Sequence, residues 1–209
     1  VYLPESKSLE IFENLKNQIG TIKMGSPIDF ENFMTAVIHK NSYNKIVSYI
    51  EKAKNDSDTN ILIGGDYDDS KGYFIAPTVI ITTNPKYATM TEEIFGPVVT
   101  IYVYPDKKWK ETLQLVDQTS EYALTGAFIS NEKESVAYAL KHLRYSAGNF
   151  YINDKPSGAV VGQQPFGGSR ASGTNDKAGS KLNLLRWVSP RLIKENFNPP
   201  TDYPYPYMA

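Results

Sequence analysis

Cysteine is absent from the 209 residues of the chain. That excludes disulfides, thiolate metal sites and a thiol nucleophile within it. Histidine is nearly as scarce. His39 and His142 are the only two; they lie far apart and, without cysteine, make a poor zinc site, so no metal is expected. His142, in "YALKHLRYS", reads as a solvated helix residue. An excess of one charge sign is also lacking: Lys and Arg number 22 against 23 Asp and Glu, a net charge of −1. Neither nucleic acid nor an anionic membrane surface therefore gains electrostatic support as a partner. No apolar run approaches the roughly 20 residues of a membrane-spanning helix. The opening "VYLPESKSLE" has neither the basic nor the apolar region of a signal peptide.

The length suits one large domain or one and a half small ones. Ile11, Phe12, Leu15 and Ile19 keep helical spacing, and Gly20 is a plausible stop. "MGSPIDFENF" is loop. Ser42 is expected to cap a helix whose buried stripe is Ile46, Val47, Ile50 and Ala53, ended by "DSDTN". "ILIGG" is a short strand. "GYFIAPTVIITT" is β-rich, with Pro77 arguing for an edge or a bend. Residues 98–104, "VVTIYVY", are nearly continuously apolar, as in a strand covered on both faces. Asp106 is then expected to cap a helix that buries Trp109, Leu113 and Val116. "ALTGAFIS" is the next strand. Asn131 with Glu134 three residues on is close to a capping box, for a helix burying Val136, Leu140 and Leu143. "GNFYIND" is a strand again, and "LNLLRWVSPRLIKENF" begins as another. The βαβαβ series predicts an α/β fold, with a mostly parallel sheet covered by helices. The tail "NPPTDYPYPYMA" has no packing period and is expected to lie extended.

Two stretches carry candidate chemistry. Residues 162–179, "GQQPFGGSRASGTNDKAG", follow the strand "GNFYIND" and are expected beyond the carboxyl ends of the strands, where α/β sheets collect function. No G-x-G-x-x-G or Walker-type spacing supports phosphate binding there. The glycines alone are satisfied by a structural loop. A third reading is ligand recognition: the backbone N–H groups of Gly158 and Ala159 form an anion nest for a carboxylate, and Phe166 forms an apolar wall. The other stretch is "TEEIFGPVV", residues 91–99. Glu92 and Glu93 point opposite ways in an extended segment, so they do not form a glycosidase-like pair. One carboxylate beside an aromatic suits two ribose hydroxyls and a planar base; one solvated and one salt-bridged glutamate fits equally well.

"EEIFGPV" followed by "PFGG" and "SG" resembles the aldehyde dehydrogenase superfamily. "GNFYINDKPSGAVVGQQPFGGSRASGTNDKAG" and "LRWVSPRLIKE" are similar to its L-glutamate γ-semialdehyde branch, the 1-pyrroline-5-carboxylate dehydrogenases of proline catabolism. The resemblance runs nearly end to end and includes "IYVYPD", "KETLQLVD" and the Tyr-rich tail. It implies covalent catalysis: a cysteine thiolate attacks the aldehyde, hydride passes to NAD, and a glutamate-activated water hydrolyses the thioester. It implies that Glu93 hydrogen-bonds the nicotinamide ribose and that Phe95 packs near the nicotinamide. It implies further that Gly158 and Ala159 hold the substrate α-carboxylate by their amides, Ala159 replacing a serine of some relatives, and that Phe166 packs on the substrate's aliphatic part. Lys155, Arg170 and Asp176 lie in the same stretches without an assigned role.

In the family, the nucleophilic cysteine, the base glutamate and the Gly-rich NAD-binding half lie upstream of the segment that corresponds to "VYLP". The expectation is therefore a carboxyl-terminal piece of a longer enzyme, inactive alone. Residues 1–150 would be the end of the catalytic domain. Residues 151–209 would hold the substrate-anchor loop, an oligomerisation strand and an extended tail. Glutamate semialdehyde as substrate, a homo-oligomer and the mitochondrial matrix follow by resemblance. A non-catalytic assembly module, and another subfamily of the same superfamily, are the alternatives.

Overall fold

The computed structural model describes the chain except for Gly158, Val161 and Ala209. Strand β1 (Tyr2–Pro4) leads into helix α1 (Glu5–Ile19), and helix α2 (Lys40–Lys54) follows a long loop. Strands β2 (Thr59–Ile63), β3 (Tyr67–Asp68), β4 (Phe74–Ile75) and β5 (Thr78–Thr82) precede the single-turn helix α3 (Ala88–Thr91) and strand β6 (Val98–Tyr104). Helix α4 (Trp109–Gln118), strands β7 (Tyr122–Ala123) and β8 (Thr125–Phe128), helix α5 (Lys133–His142) and strand β9 (Asn149–Ile152) come next. Strand β10 (Ser169–Arg170) and helix α6 (Lys181–Leu184) complete the order.

The main sheet has the order β1-β6-β5-β2, with β1, β6 and β5 parallel and β2 antiparallel to β5. Side chains alternate across it. Val79, Ile101 and Val103 face the α1 stripe of Ile11, Phe12, Leu15 and Ile19. Ile80, Ile61 and Val98 face Ala53 of α2 and Tyr87. With helices on both faces, β6 needs apolar residues at consecutive positions, which is the pattern in its sequence. Pro77 falls in the break between β4 and β5, so no ladder hydrogen bond is lost to it.

A second pair, β8 and β9, is also parallel. Leu113 of α4 and Ala139 and Leu143 of the α5 segment form its core with Trp109, Val116, Phe128 and Phe150. The α/β fold with mostly parallel pairing and helix-covered faces is as expected from the βαβαβ series, with the strands divided between separate sheets among the described residues. Among the described residues β6 bonds only to β1 and β5, and β8 pairs only with β9.

Several local expectations are corrected. Ser42 is not the cap of α2; His39 is, its Nδ1 accepting the Ser42 N–H at 2.9 Å. Asp106 lies in a 3-10 turn ahead of α4, and its carboxylate instead accepts the Ser6 backbone N–H (3.0 Å) and hydroxyl in the first turn of α1. The capping box at Asn131 is absent, and α5 begins only at Lys133, without a side-chain cap. The Asn153 amide engages both the N–H and the C=O of Ser130, which ties that stretch to the end of β9 and delays the helix. Ala139, not Leu140, is the fully buried residue of α5: Ala139 and Leu143 pack on Leu113, with Tyr138 partly buried against them, while Val136 is only half-buried and Leu140 is exposed. The strand expected at "LNLLRWVSPRLIKENF" is instead the short helix α6, capped by Ser180, and a 3-10 turn over Leu185–Trp187. Among the described residues no strand lies beyond it.

Candidate active site

The "EEIFG" segment links α3 to β6. Ile94 is its anchor, buried against Tyr43, Ile46 and Ile50 of α2 and Ile75 of β4. Both flanking acids are tied to the same helix, but differently. The Glu92 carboxylate accepts the Tyr49 hydroxyl, a bond that holds the Tyr49 phenol above its ordinary pKa. Glu93 is held through its backbone, its carbonyl accepting Lys45 Nζ at 2.9 Å. Among the described residues no hydrogen bond or ion pair engages the Glu93 carboxylate. The two acids therefore do not share a site.

Phe95 is the unusual residue. Its φ is 61°, a left-handed conformation that costs a non-glycine residue roughly 1–2 kcal/mol, and its ring is 83% exposed. The buried residue before it and Gly96 after it, where a Cβ would meet Ile46 Cδ1 at 2.5 Å, force the turn. The segment thus carries, two positions apart, a carboxylate without a partner among the described residues and an exposed aromatic side chain.

The second group is built around "PFGG". The sequence places it beyond the carboxyl end of β9; the structure returns it to the amino end. Asn149, the first residue of β9, donates from Nδ2 to the Pro165 carbonyl (3.0 Å) and accepts from the Gly167 N–H (3.3 Å). Phe166 lies between those peptides and makes a two-way bridge with Ala178, N–H to carbonyl at 2.9 and 2.8 Å. Gly148 lets the loop come this close: a Cβ there would lie 1.9 Å from the Gly167 oxygen. Lys177, at φ 56°, turns inward and donates to the carbonyl of Gly148, to Asn149 Oδ1 (3.2 Å) and to the carbonyl of Gly167 (3.4 Å). Burial lowers the pKa of its ammonium.

Downstream, β10 pairs antiparallel with β7. Arg170, at φ 53°, donates to the Asp117 carbonyl at 2.8 Å and to Asp117 Oδ1 at 2.6 Å, and Ser146 Oγ donates to the same carboxylate oxygen at 2.6 Å. The Asp117 carboxyl is held below its ordinary pKa, first by the Ser146 hydroxyl and then by Arg170, against a desolvation effect that raises it. Asp176 accepts the Thr174 hydroxyl and pairs with Arg186 Nε at 2.8 Å. Arg170 and Asp176 are thus loop fasteners.

Phe166 is half-buried, Ala159 lies in irregular chain, and Gly158 lies outside the described residues. No hydrogen bond, ion pair or ring contact among the described residues joins the Glu93–Phe95 group to the Phe166 group. Sequence reasoning missed Asn149 and Lys177. The only signals were an asparagine opening a strand, where such residues are depleted, and a lysine in a Gly- and Asn-rich turn.

A sequence model of the aldehyde dehydrogenase family matches residues 1–191, and the chain belongs to that family. Within it, the chain is similar to delta-1-pyrroline-5-carboxylate dehydrogenases: 58% identical over 207 residues to the mitochondrial protein of Dictyostelium discoideum and 51% over 209 to that of Homo sapiens. These alignments cover 99% and 100% of this chain and 37% of each relative. The crystal structure of the Mycobacterium tuberculosis delta-pyrroline-5-carboxylate dehydrogenase bound with NAD superposes with a TM-score of 0.83 at 46% identity, over 100% of this chain and 38% of that one. The chain therefore spans little more than a third of the length of the proteins it matches.

Proposed function

We propose that the whole protein is an NAD-dependent dehydrogenase that oxidises L-glutamate γ-semialdehyde to L-glutamate, and that this chain supplies part of its cofactor and substrate contacts. The observation that carries the reading is the Glu93–Phe95 segment, with a carboxylate unengaged among the described residues and, two positions on, an aromatic side chain kept in solvent by a left-handed backbone. This donor set fits a nicotinamide nucleotide: Glu93 accepts ribose hydroxyls and Phe95 offers its face to the flat ring. NAD, when bound, accepts the hydride of the aldehyde. The superposed mycobacterial dehydrogenase holds NAD in its crystal structure, which supports the same cofactor here.

On the substrate side, the amides of Gly158 and Ala159 hold the α-carboxylate and Phe166 covers the aliphatic carbons. Charge-assisted bonds from backbone N–H groups need no cationic side chain. With no cysteine, this chain does not provide the thiol that the family uses; the nucleophile and the base come from elsewhere in the whole protein. Residues 1–150 then end the catalytic domain and residues 151–209 carry the anchor loop, an intersubunit segment and the tail. The relatives' names support a mitochondrial location, and we assign the matrix.

The test is steady-state turnover of the whole protein with L-glutamate γ-semialdehyde and with propanal, following NADH. The expected result is NAD reduction with kcat/KM at least about a hundredfold higher for the semialdehyde, the magnitude of a lost charged anchor. Equal kcat/KM for both aldehydes sinks the carboxylate-anchored reading and leaves a different subfamily.

A further inference from the structure

We propose that Asn149 and Lys177 are positioning residues for Phe166, and that through Phe166 they set the affinity for the carboxylated aldehyde. The proposal rests on the reading of Phe166 as a substrate wall. Its own basis is geometric. The Asn149 amide grips the peptide on each side of Phe166, one through its donor and one through its acceptor. Phe166 itself is bonded in both directions to Ala178, the residue directly after Lys177. The backbone that carries the ring is therefore held at three consecutive residues.

Lys177 completes the frame. Its ammonium donates to Asn149 Oδ1, which fixes which way round the amide sits, since only an oxygen accepts both that bond and the Gly167 N–H. It also donates to the carbonyls of Gly148 and Gly167, drawing the β9 start and the loop together where Gly148 permits contact. None of the three acceptors is a carboxylate. A desolvated cation spent on neutral oxygens is a costly way to gain stability. It is an effective way to fix the orientation of three groups at once. The left-handed backbone at Asn175 and Lys177, each a strained non-glycine position, turns the lysine inward to that task.

The test is a double-mutant cycle in the whole protein, measured as KM and kcat for L-glutamate γ-semialdehyde and for propanal, with thermal midpoints recorded alongside. Lys177→Met is expected to raise KM for the semialdehyde about tenfold, the scale of a lost charged hydrogen bond, with kcat within about twofold and a smaller effect on propanal. Lys177→Arg, which keeps the charge, is expected to fall between Lys177→Met and the unmodified protein. In a Phe166→Ala background the lysine substitution is expected to add less than about twofold to KM, because the residue it acts through is gone. If Phe166→Ala raises KM but Lys177→Met multiplies that effect in full, the lysine acts independently of the ring and the positioning role is overturned while the substrate-wall reading stands. If Phe166→Ala leaves KM unchanged, both fall. Should Lys177→Met fail to fold, Asn149→Asp, which keeps the acceptor and loses the donor to Pro165, decides the matter in the same cycle.

Discussion

Phe95 is exposed because its neighbours are packed. A ring of its size gains several kcal/mol on burial, and a left-handed backbone adds strain, yet the neighbours Ile94 and Gly96 are the ones turned inward. Strain of this kind persists where the surrounding packing holds it in place, and the cofactor role proposed for Phe95 would use it. Phe95→Gly is expected to leave stability within about 1 kcal/mol, because relief of the left-handed strain, about 1–2 kcal/mol, is set against the entropy of an added glycine, about 0.5–1. The same change is expected to raise KM for NAD about fivefold by removing the ring face. An unchanged KM for NAD would separate Phe95 from the cofactor. Glu93→Gln, which turns a charge-assisted acceptor into a neutral one, is expected to raise KM for NAD by about tenfold without a change in thermal midpoint, because its carboxylate has no partner among the described residues to lose.

At the scale of elements, the anchor loop depends on the join between β10 and the end of α4. Asp117 is the hub, accepting from Ser146 and Arg170 at once. Because its folded-state pKa is depressed, its stabilising contribution is present above the ordinary aspartate value of 3.8 and is lost as pH falls through the lower folded value. Asp117→Asn is expected to lower local stability at neutral pH by about 1 kcal/mol, a figure reduced for the partial exposure of both side chains. The difference closes in acid. Native-state hydrogen exchange of the β7 and β10 amides at both pH values reads this directly, and a deficit unchanged by pH would mean that the carboxylate's charge is irrelevant. This join is not legible in the sequence, since 53 positions separate Asp117 from Arg170. The helices themselves are legible from their apolar spacing. Their caps are less so: His39 caps α2 in the ordinary local geometry, onto the N–H three residues on, but with an imidazole in place of the usual Ser, Thr, Asp or Asn, and Asp106 and Asn153 act on Ser6 and Ser130, far away in sequence.

For the whole molecule, the distribution of apolar surface decides the expected behaviour. Leu184, Leu185, Trp187, Leu192, Ile193 and Phe197 are all exposed along one segment. Apolar side chains so close in sequence are seldom all left in water, and the intersubunit role proposed above for this segment predicts that they pack against another subunit. Leu192→Asp in the whole protein is expected to shift sedimentation toward smaller species. An unchanged sedimentation coefficient would remove that segment from the interface. The same segment shows a limit of pattern reading: its apolar run reads as a strand, but within the chain it begins as a short helix capped by Ser180, followed by a 3-10 turn.

By itself, the sequence determined the α/β class, the positions of the principal helices and strands, the family, and the two stretches in which the candidate site residues lie. The class and the elements depend on periodicity and on residue types at short spacing, which are local; the family and the two stretches follow from the resemblance of their motifs to a known family. The tertiary structure decided which glutamate is free, that Phe95 faces solvent under strain, that the "PFGG" loop returns to the amino end of β9, and that Asn149, Lys177 and Asp117 hold it there. The Phe95 turn is set by packing of Ile94 and Gly96 against α2; each of the other outcomes is a choice of hydrogen-bond partner across a distance in sequence. Only the folded chain makes that choice, because only there does a buried donor have to find an acceptor.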